Sequence, residues 1–456
     1  MATIKKLIYS KAFLGLLGLS VLTSCDSCSY VKTDDGGNYF QYIPEFHYTY
    51  YSNGIDAIKA NDLSLFVDYS TCNVLGQNSP FYQALIPSWV NATKHYYSIK
   101  GSEITQESES TFNLLRTIQD CSYADLVGAI NKMADNNSES VLLTDGEYFQ
   151  PTIAQGNINN PYMSDALKKW LTKGHDIFVF AEPYQEQYKG QTYNKKRFYI
   201  IFTDVRLRDN IYDRILQTVK LQQFPDVEMF HLSADHPSLA AENESSKPNE
   251  NLSPKVKGFG SFEAQEWEIA WDNGIEPLIV NATNPETGSP LPNGEQITGG
   301  IKVDRNSFGG YRIKNVTAKV YNINEDFTAF CTAKAGGQRV GGQLELIPQE
   351  NFIKLDEKEF SKHGIINLYF DTQFYTPTFV LNGTPFNFFK VDICISEVQD
   401  MFSQFAHIFE FDSIDMPGQK NTSVAESVKQ CLADPDIKNM ITSCPIYSIY
   451  VKSAER

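Results

Sequence analysis

The chain has 456 residues, 42% hydrophobic and 21% charged, so it is a folded globular protein and too long for one ordinary core. Its formal net charge of −16 repels nucleic acid and anionic lipid surfaces alike and excludes binding that rests on a basic patch. Aromatic residues make up 13% of the chain, mostly Tyr and Phe, a bias toward β-rich segments.

The first residues read as a targeting segment. Lys5 and Lys6 give a basic start, Phe13–Val21 is an apolar run too short to span a membrane comfortably, and Leu22-Thr23-Ser24 places small residues before Cys25. Charge, apolar run, small residues and cysteine fall in the order that resembles the lipobox of bacterial lipoproteins. The resemblance implies cleavage before Cys25 and a lipid on its thiol, hence a place in the bacterial cell envelope, at the outer membrane on its periplasmic or surface face. Loss of residues 1–24 removes three lysines and no acids, which takes the charge from −16 to −19, so lipid rather than charge would supply the membrane contact. With lipid on Cys25, seven of the eight cysteines are left to pair, an odd number, and Cys431–Cys444 is the pairing expected if a disulfide forms.

Residues 25–58 read as a polar, tyrosine-rich tether. From 59 to 235 strands and helices alternate. The apolar run Leu65-Phe66-Val67 predicts a buried strand within Leu63–Val67 that ends in Asp68. Ser79-Pro80 opens a helix, with Pro87 expected to stop or kink it. His95–Ile99 predicts a second strand, Gly101–Ser110 a loop, Ala124–Met133 a helix and Ser140–Leu143 a strand that runs into Thr144-Asp145-Gly146-Glu147. Residues 162–173 form an amphipathic helix stopped by Gly174; Asp176–Ala181 and Arg197–Phe202 are strands, and Ile211–Val219 is a closing helix. The pattern predicts an α/β fold with a doubly wound, mainly parallel sheet whose strand ends share one rim. Residues 236–257 read as a linker. From 258 to 456 short runs at Ile301–Val303, Val316–Tyr321, Gly342–Ile347, Ile365–Phe370, Phe379–Leu381 and Phe388–Ile395 predict a β-rich, sandwich-type domain, closed by a helix at Val424–Ala433 and a strand at Pro445–Val451.

Acids at the carboxyl ends of buried strands face the crevice where open α/β sheets bind ligands; the plainer alternative is that Asp68 and Asp145 cap or bond their own loops. Asp68-Tyr69-Ser70-Thr71-Cys72, then Ser122, then Thr144-Asp145-Gly146 resembles the von Willebrand factor A domain and its metal-ion-dependent adhesion site, over residues 60–220. The resemblance implies a site built from Asp68, Ser70, Ser122 and Asp145 that holds Mg²⁺, with Mn²⁺ or Ca²⁺ as alternatives. It further implies a protein partner whose carboxylate completes the shell, and binding in place of catalysis. Two positions depart from the pattern: Cys72 stands where a second Ser belongs, and a thiol is a soft, poor ligand for these ions, while Ser122 replaces Thr. The competing readings are an envelope hydrolase of phosphate or sugar esters that uses Asp68 and Asp145, and a structural scaffold with a dead metal site. A phosphoryl-transfer nucleophile at Asp68 lacks the acid expected two residues on, and Cys72 as nucleophile needs a histidine, for which His95 and His175 are the candidates. Both histidines also read as structural, and Trp267 and Trp271 read as core before carbohydrate platform.

Overall fold

The computed structural model describes Phe46 and residues 58–69, 79–108, 124–147, 162–205, 207, 209–234, 275–276, 296–303, 305, 309–335, 353–370, 380–381, 384–414, 416–443 and 445–454. Cys25 and the leader, the 236–257 linker, the Gly342–Ile347 run, Trp267 and Trp271 lie outside them.

In the first half, β1 (Lys59–Asp68), α1 (Pro80–Trp89), β2 (Thr93–Lys100), β3 (Glu103–Glu107), α2 (Leu126–Asn136) and β4 (Ser138–Thr144) follow one another. They lead to α3 (Ser164–Leu171), β5 (Asp176–Tyr188), β6 (Gln191–Thr203), α4 (Ile211–Thr218) and β7 (Glu228–Ser233). Their seven strands form one sheet in the order β3-β2-β1-β4-β6-β5-β7. The α/β class is as expected, and β1, β2, β4 and β5 point the same way. The ladders are nevertheless mixed: β1 pairs in parallel with β2 and β4, and the remaining ladders are antiparallel. Two of the four antiparallel ladders, β4–β6 and β5–β6, come from one hairpin. Lys189 (φ 49°) and Gly190 (φ 79°) supply the two left-handed residues of a two-residue turn, so β5 and β6 are neighbours rather than strands joined by a crossover. The Gly101–Ser110 stretch likewise holds an edge strand, β3.

Alternation along β1 sends Leu63, Leu65 and Val67 to one side, where Phe81, Leu85 and Trp89 of α1 and Ile211 and Ile215 of α4 pack. Phe66 goes to the other side, with Ile130 and Met133 of α2 and Leu167 and Trp170 of α3. Helices therefore cover both faces. The α1 start is as the sequence predicts, with Ser79 Oγ accepting from the Tyr82 amide at 2.9 Å. Pro87 does not end the helix, which runs on to Trp89; burial of Leu85 and Trp89 on one face outweighs the amide donor that proline lacks. Gly174 ends the α3 segment at φ 77°.

The second half contains β8 (Ile275–Glu276), β9 (Gln296–Lys302), β10 (Tyr311–Asn322), α5 (Asn324–Ala335), β11 (Ile353–Leu355), α6 (Glu357–His363) and β12 (Ile365–Phe370). After these come β13 (Val380–Leu381), β14 (Thr384–Asp400), β15 (Phe411–Asp412), β16 (Lys420–Asn421), α7 (Ser423–Ala433), α8 (Pro435–Ser443) and β17 (Pro445–Ala454). One sheet runs β10-β14-β17-β8, with β13 paired to β14; β11-β12-β9 and β15-β16 form smaller ones. The helices α5, α6 and α8 stand beyond the single helix expected in the β-rich half, which α7 supplies. Their apolar residues recur at helical spacing (Phe327, Phe330 and Cys331 in α5, Ile437 and Ile441 in α8), in segments too short to stand out among the strand runs. The expected Cys431–Cys444 disulfide is also corrected: Cys431 is a free, buried thiol, as are Cys331 and Cys394. Burial pushes all three thiols up to about 12, which leaves them protonated and unreactive.

The two halves share apolar core. Phe230 of β7 meets Phe402, Phe405 and Phe409 at ring distances of 6.0, 5.5 and 5.2 Å, and Phe198 of β6 lies 6.1 Å from Phe411. Around this core, α7 docks on α3. Ser427 Oγ accepts from the Met163 amide at 3.0 Å, and Lys168 pairs with Asp434 at 2.9 Å and Asp436 at 2.6 Å.

Candidate functional site

At the rim the structure brings two acids to neighbouring strand ends. β1 pairs in parallel with β4, Val67 opposite Leu143, so Asp68 ends one strand beside Thr144 at the end of the other. Asp68, Thr144 and Asp145 are all 0% exposed. Alternation puts Asp68 and Thr144 on the side of Phe66 and Leu142, and Thr144 Oγ1 donates to Asp68 Oδ2 at 2.7 Å. The same hydroxyl accepts from the Gly146 amide at 3.0 Å, and Asp145 Oδ1 accepts from the Glu147 amide at 2.9 Å. The hydroxyl that reaches Asp68 is therefore Thr144, a residue that the sequence pattern treats only as a neighbour of Asp145. Ser70, Ser122 and Cys72 lie outside the described residues.

Thr144→Val keeps the shape and removes the donor to a fully buried carboxylate, so it is expected to cost about 1–3 kcal/mol of unfolding free energy, read by urea denaturation. A hydroxyl with no role at the rim would leave the midpoint unchanged.

Next to Asp145 a charged layer sits on the β5–β6 hairpin. The β4 ladder ends at Thr144 opposite Phe198, and the β7 ladder ends at Glu228 opposite Ala181, so the hairpin projects beyond both neighbours. On its projecting part Glu182 pairs across with Arg197, Tyr184 with Lys195 and Glu186 with Tyr193. Arg197 Nη1 donates to Glu182 Oε2 at 2.8 Å, Tyr199 Oη donates to the same oxygen at 2.7 Å, and Arg197 lies 4.7 Å from the Tyr184 ring centre. Lys195 forms a close ion pair with Glu147, lies 4.6 Å from the Phe411 ring centre and reaches the Asp412 carbonyl at 3.4 Å. Lys195 is 1% exposed and Arg197 2%. Such ions persist in the interior only because each is paired. The sequence reading ended its strands at Ala181 and began the next at Arg197. The missed signal is alternation itself, because Glu182, Tyr184, Glu186 and Tyr193, Lys195, Arg197 keep the period-two spacing of the apolar residues they follow.

Burial, and then Asp145 and Glu186, outweigh the Lys195 ammonium and raise the Glu147 carboxyl from 4.5 to about 7. A folded-state value above the unfolded one means that the fold binds the proton more tightly. The stabilisation is complete below about 4.5 and is lost as pH rises through about 7. Stability measured by denaturant from pH 5 to 8 is thus expected to fall more steeply in wild type than in Glu147→Gln. Equal slopes would place Glu147 in an ordinary environment.

The histidines have structural partners. His95 Nε2 lies 3.0 Å from Asp62, and fully buried His175 bonds Asp204 and Asn137, each at 3.2 Å. Among the described residues no group of three or more His, Cys, Asp and Glu side chains is arranged around a metal position. No family model, curated protein or solved structure matches the chain. The site is thus read from its own residues. What the rim offers is buried oxygen: two carboxylates at adjacent strand ends, a threonine hydroxyl bonded to one of them and a desolvated ion-pair layer beside them.

Proposed function

We propose that this protein is a lipid-anchored cell-envelope binding protein whose first half is von Willebrand factor A-like and binds a protein partner at the rim, assisted by a divalent cation. The observation that carries the reading is the pair of buried acids, Asp68 and Asp145, at the ends of adjacent parallel strands β1 and β4. The donor chemistry fits a hard cation. Carboxylate and hydroxyl oxygens are what Mg²⁺ takes, and it keeps several waters beside one or two carboxylates. Asp68 and Asp145 would hold it with Ser70 and Ser122, and the cation would supply an open position for a partner's carboxylate. Among the described residues no helix is long and apolar enough to cross a membrane, and anchoring is assigned to lipid on Cys25.

Thermal unfolding with Mg²⁺ and with Mn²⁺, on wild type and Asp145→Ala, tests the site. A ligand at a hundred times its Kd stabilises the fold by about 2.7 kcal/mol, so a metal-dependent rise in Tm is expected in wild type and not in the variant. No rise in wild type overturns the cation and leaves the α/β fold standing. A second reading, an envelope ester hydrolase, draws on one observation: the near-neutral Glu147 beside Asp145 has the pKa range of a general acid–base group. Turnover of generic phosphate or acyl esters that is lost in Glu147→Gln would favour it over binding.

A further inference from the structure

The turn after β4 is held from outside its own half. Gly146 has φ +79°, and a Cβ there would lie 2.7 Å from the Phe198 ring and 3.1 Å from the Phe411 ring. The turn backbone thus passes between an aromatic ring of β6 and one of β15 with no room for a side chain. Next in sequence, Glu147 pairs with Lys195, which sits over that same Phe411 ring and reaches the Asp412 carbonyl. Asp412 is fixed in turn: its Oδ2 accepts from the Asn194 amide at 2.7 Å and from Asn194 Nδ2 at 3.0 Å, and its Oδ1 from Lys420 at 2.7 Å. One more tie lies alongside, where Lys196 donates to the His407 carbonyl and His407 Nε2 meets Glu228 at 2.8 Å.

We propose that Phe411 and Asp412 form a built-in clasp on the Thr144–Glu147 turn, so that movement of this turn at the rim is coupled to release or tightening of the β15–β16 hairpin. The coupling is physical contact through two parts, an aromatic wall against Gly146 and a polar strap from Asp412 through Asn194 and Lys195 to Glu147. A displacement of the turn that brings Gly146 toward Phe411 has to push the ring and, with it, the strap. That the rim takes a ligand rests on the function proposed above; the clasp itself does not.

Hydrogen exchange on the full chain tests it, because the Gly146 and Glu147 amides are each bonded by a side chain of the turn and report its opening. Asp412→Ala, at a partly exposed position, removes the carboxylate that holds Asn194 and so weakens the strap while its carbonyl contact to Lys195 stays, and Phe411→Leu thins the wall while keeping it apolar. Lys429→Ala on the solvent side of α7 is the control. In both test variants exchange at Gly146 and Glu147 is expected to speed about tenfold, the effect of roughly 1.4 kcal/mol of lost local stability, with β1 and β4 amides unchanged. Unchanged exchange at the turn in both variants, with the hairpin itself loosened, overturns the clasp. A second arm adds Mg²⁺ to wild type. Slower exchange across 411–421 supports coupling from rim to hairpin, and a Tm rise with no change in 411–421 overturns it. If Mg²⁺ gives no Tm rise the cation reading fails alone, and the two variants still decide the clasp.

Discussion

Gly309→Ala is expected to cost about 4 kcal/mol or more, enough to unfold the docked second half or to drive the chain into aggregates. A Cβ at this position would lie 1.5 Å from the carbonyl oxygen of His231 and 2.8 Å from its carbonyl carbon, both backbone atoms of β7. No rotamer relieves such an overlap, because neither party is a side chain. The backbone at 309 has to withdraw from the edge strand, and Tyr311 and Phe402 would move with it. Gly190→Ala provides the contrast. Nothing lies within 4 Å of a Cβ there, so only the left-handed φ of 79° opposes it, at about 1 kcal/mol. Denaturant titrations of the two variants should differ by several kcal/mol; similar midpoints would mean that β7 and the 309 turn separate without cost.

The second large effect is expected at Arg197. Arg197→Met leaves Glu182, 8% exposed, with the Tyr199 hydroxyl as its side-chain donor among the described residues, and an uncompensated buried carboxylate costs about 3–5 kcal/mol. Removing both charges is a different matter. In Arg197→Met/Glu182→Leu the fold no longer has to desolvate either ion, and stability is expected to return to within about 1–2 kcal/mol of wild type. A double variant as unstable as the sum of its parts would show that the two residues act through packing instead of charge.

Much of the first half was legible because its residues obey local rules. Leu65-Phe66-Val67 could only be a buried strand, Ser79-Pro80 a helix start, and Leu167, Trp170 and Leu171 one helix face closed by Gly174. What escaped was set from a distance. Glu182 to Tyr188 and Gln191 to Lys196 look like polar loop by composition, yet they are strand, because other parts of the chain bury one side of them. Local periodicity was present but its meaning, a charged buried face, depends in part on the Phe411 ring and the Asp412 carbonyl at Lys195, more than 200 residues away. Phe327 and Phe330 illustrate the same limit in the second half, where a helix hides among strand-like aromatics. At the rim, Asp68 and Asp145 could be placed at strand ends from sequence, since an apolar run followed by an acid says where a strand stops. Which oxygen meets which could not, and the Thr144 hydroxyl emerged only from the parallel register of β1 and β4.

The projecting β5–β6 hairpin has a consequence for how the molecule comes to exist. Its two strands are adjacent in sequence and turn on two residues, so they can zip up locally and early. The bonds that tie it to the second half join residues as distant as Asn194 and Asp412, which are 218 apart in the chain. Until the last part of the chain has left the ribosome, Lys195 lacks the Phe411 ring and the Asp412 carbonyl that lie against it. Completion then removes the water from Lys195 in a late event that needs both halves present. A protein made this way matures in two beats, and the first half, cut off before residue 405, would leave Lys195 wet beside an Arg197–Glu182 pair that is already made.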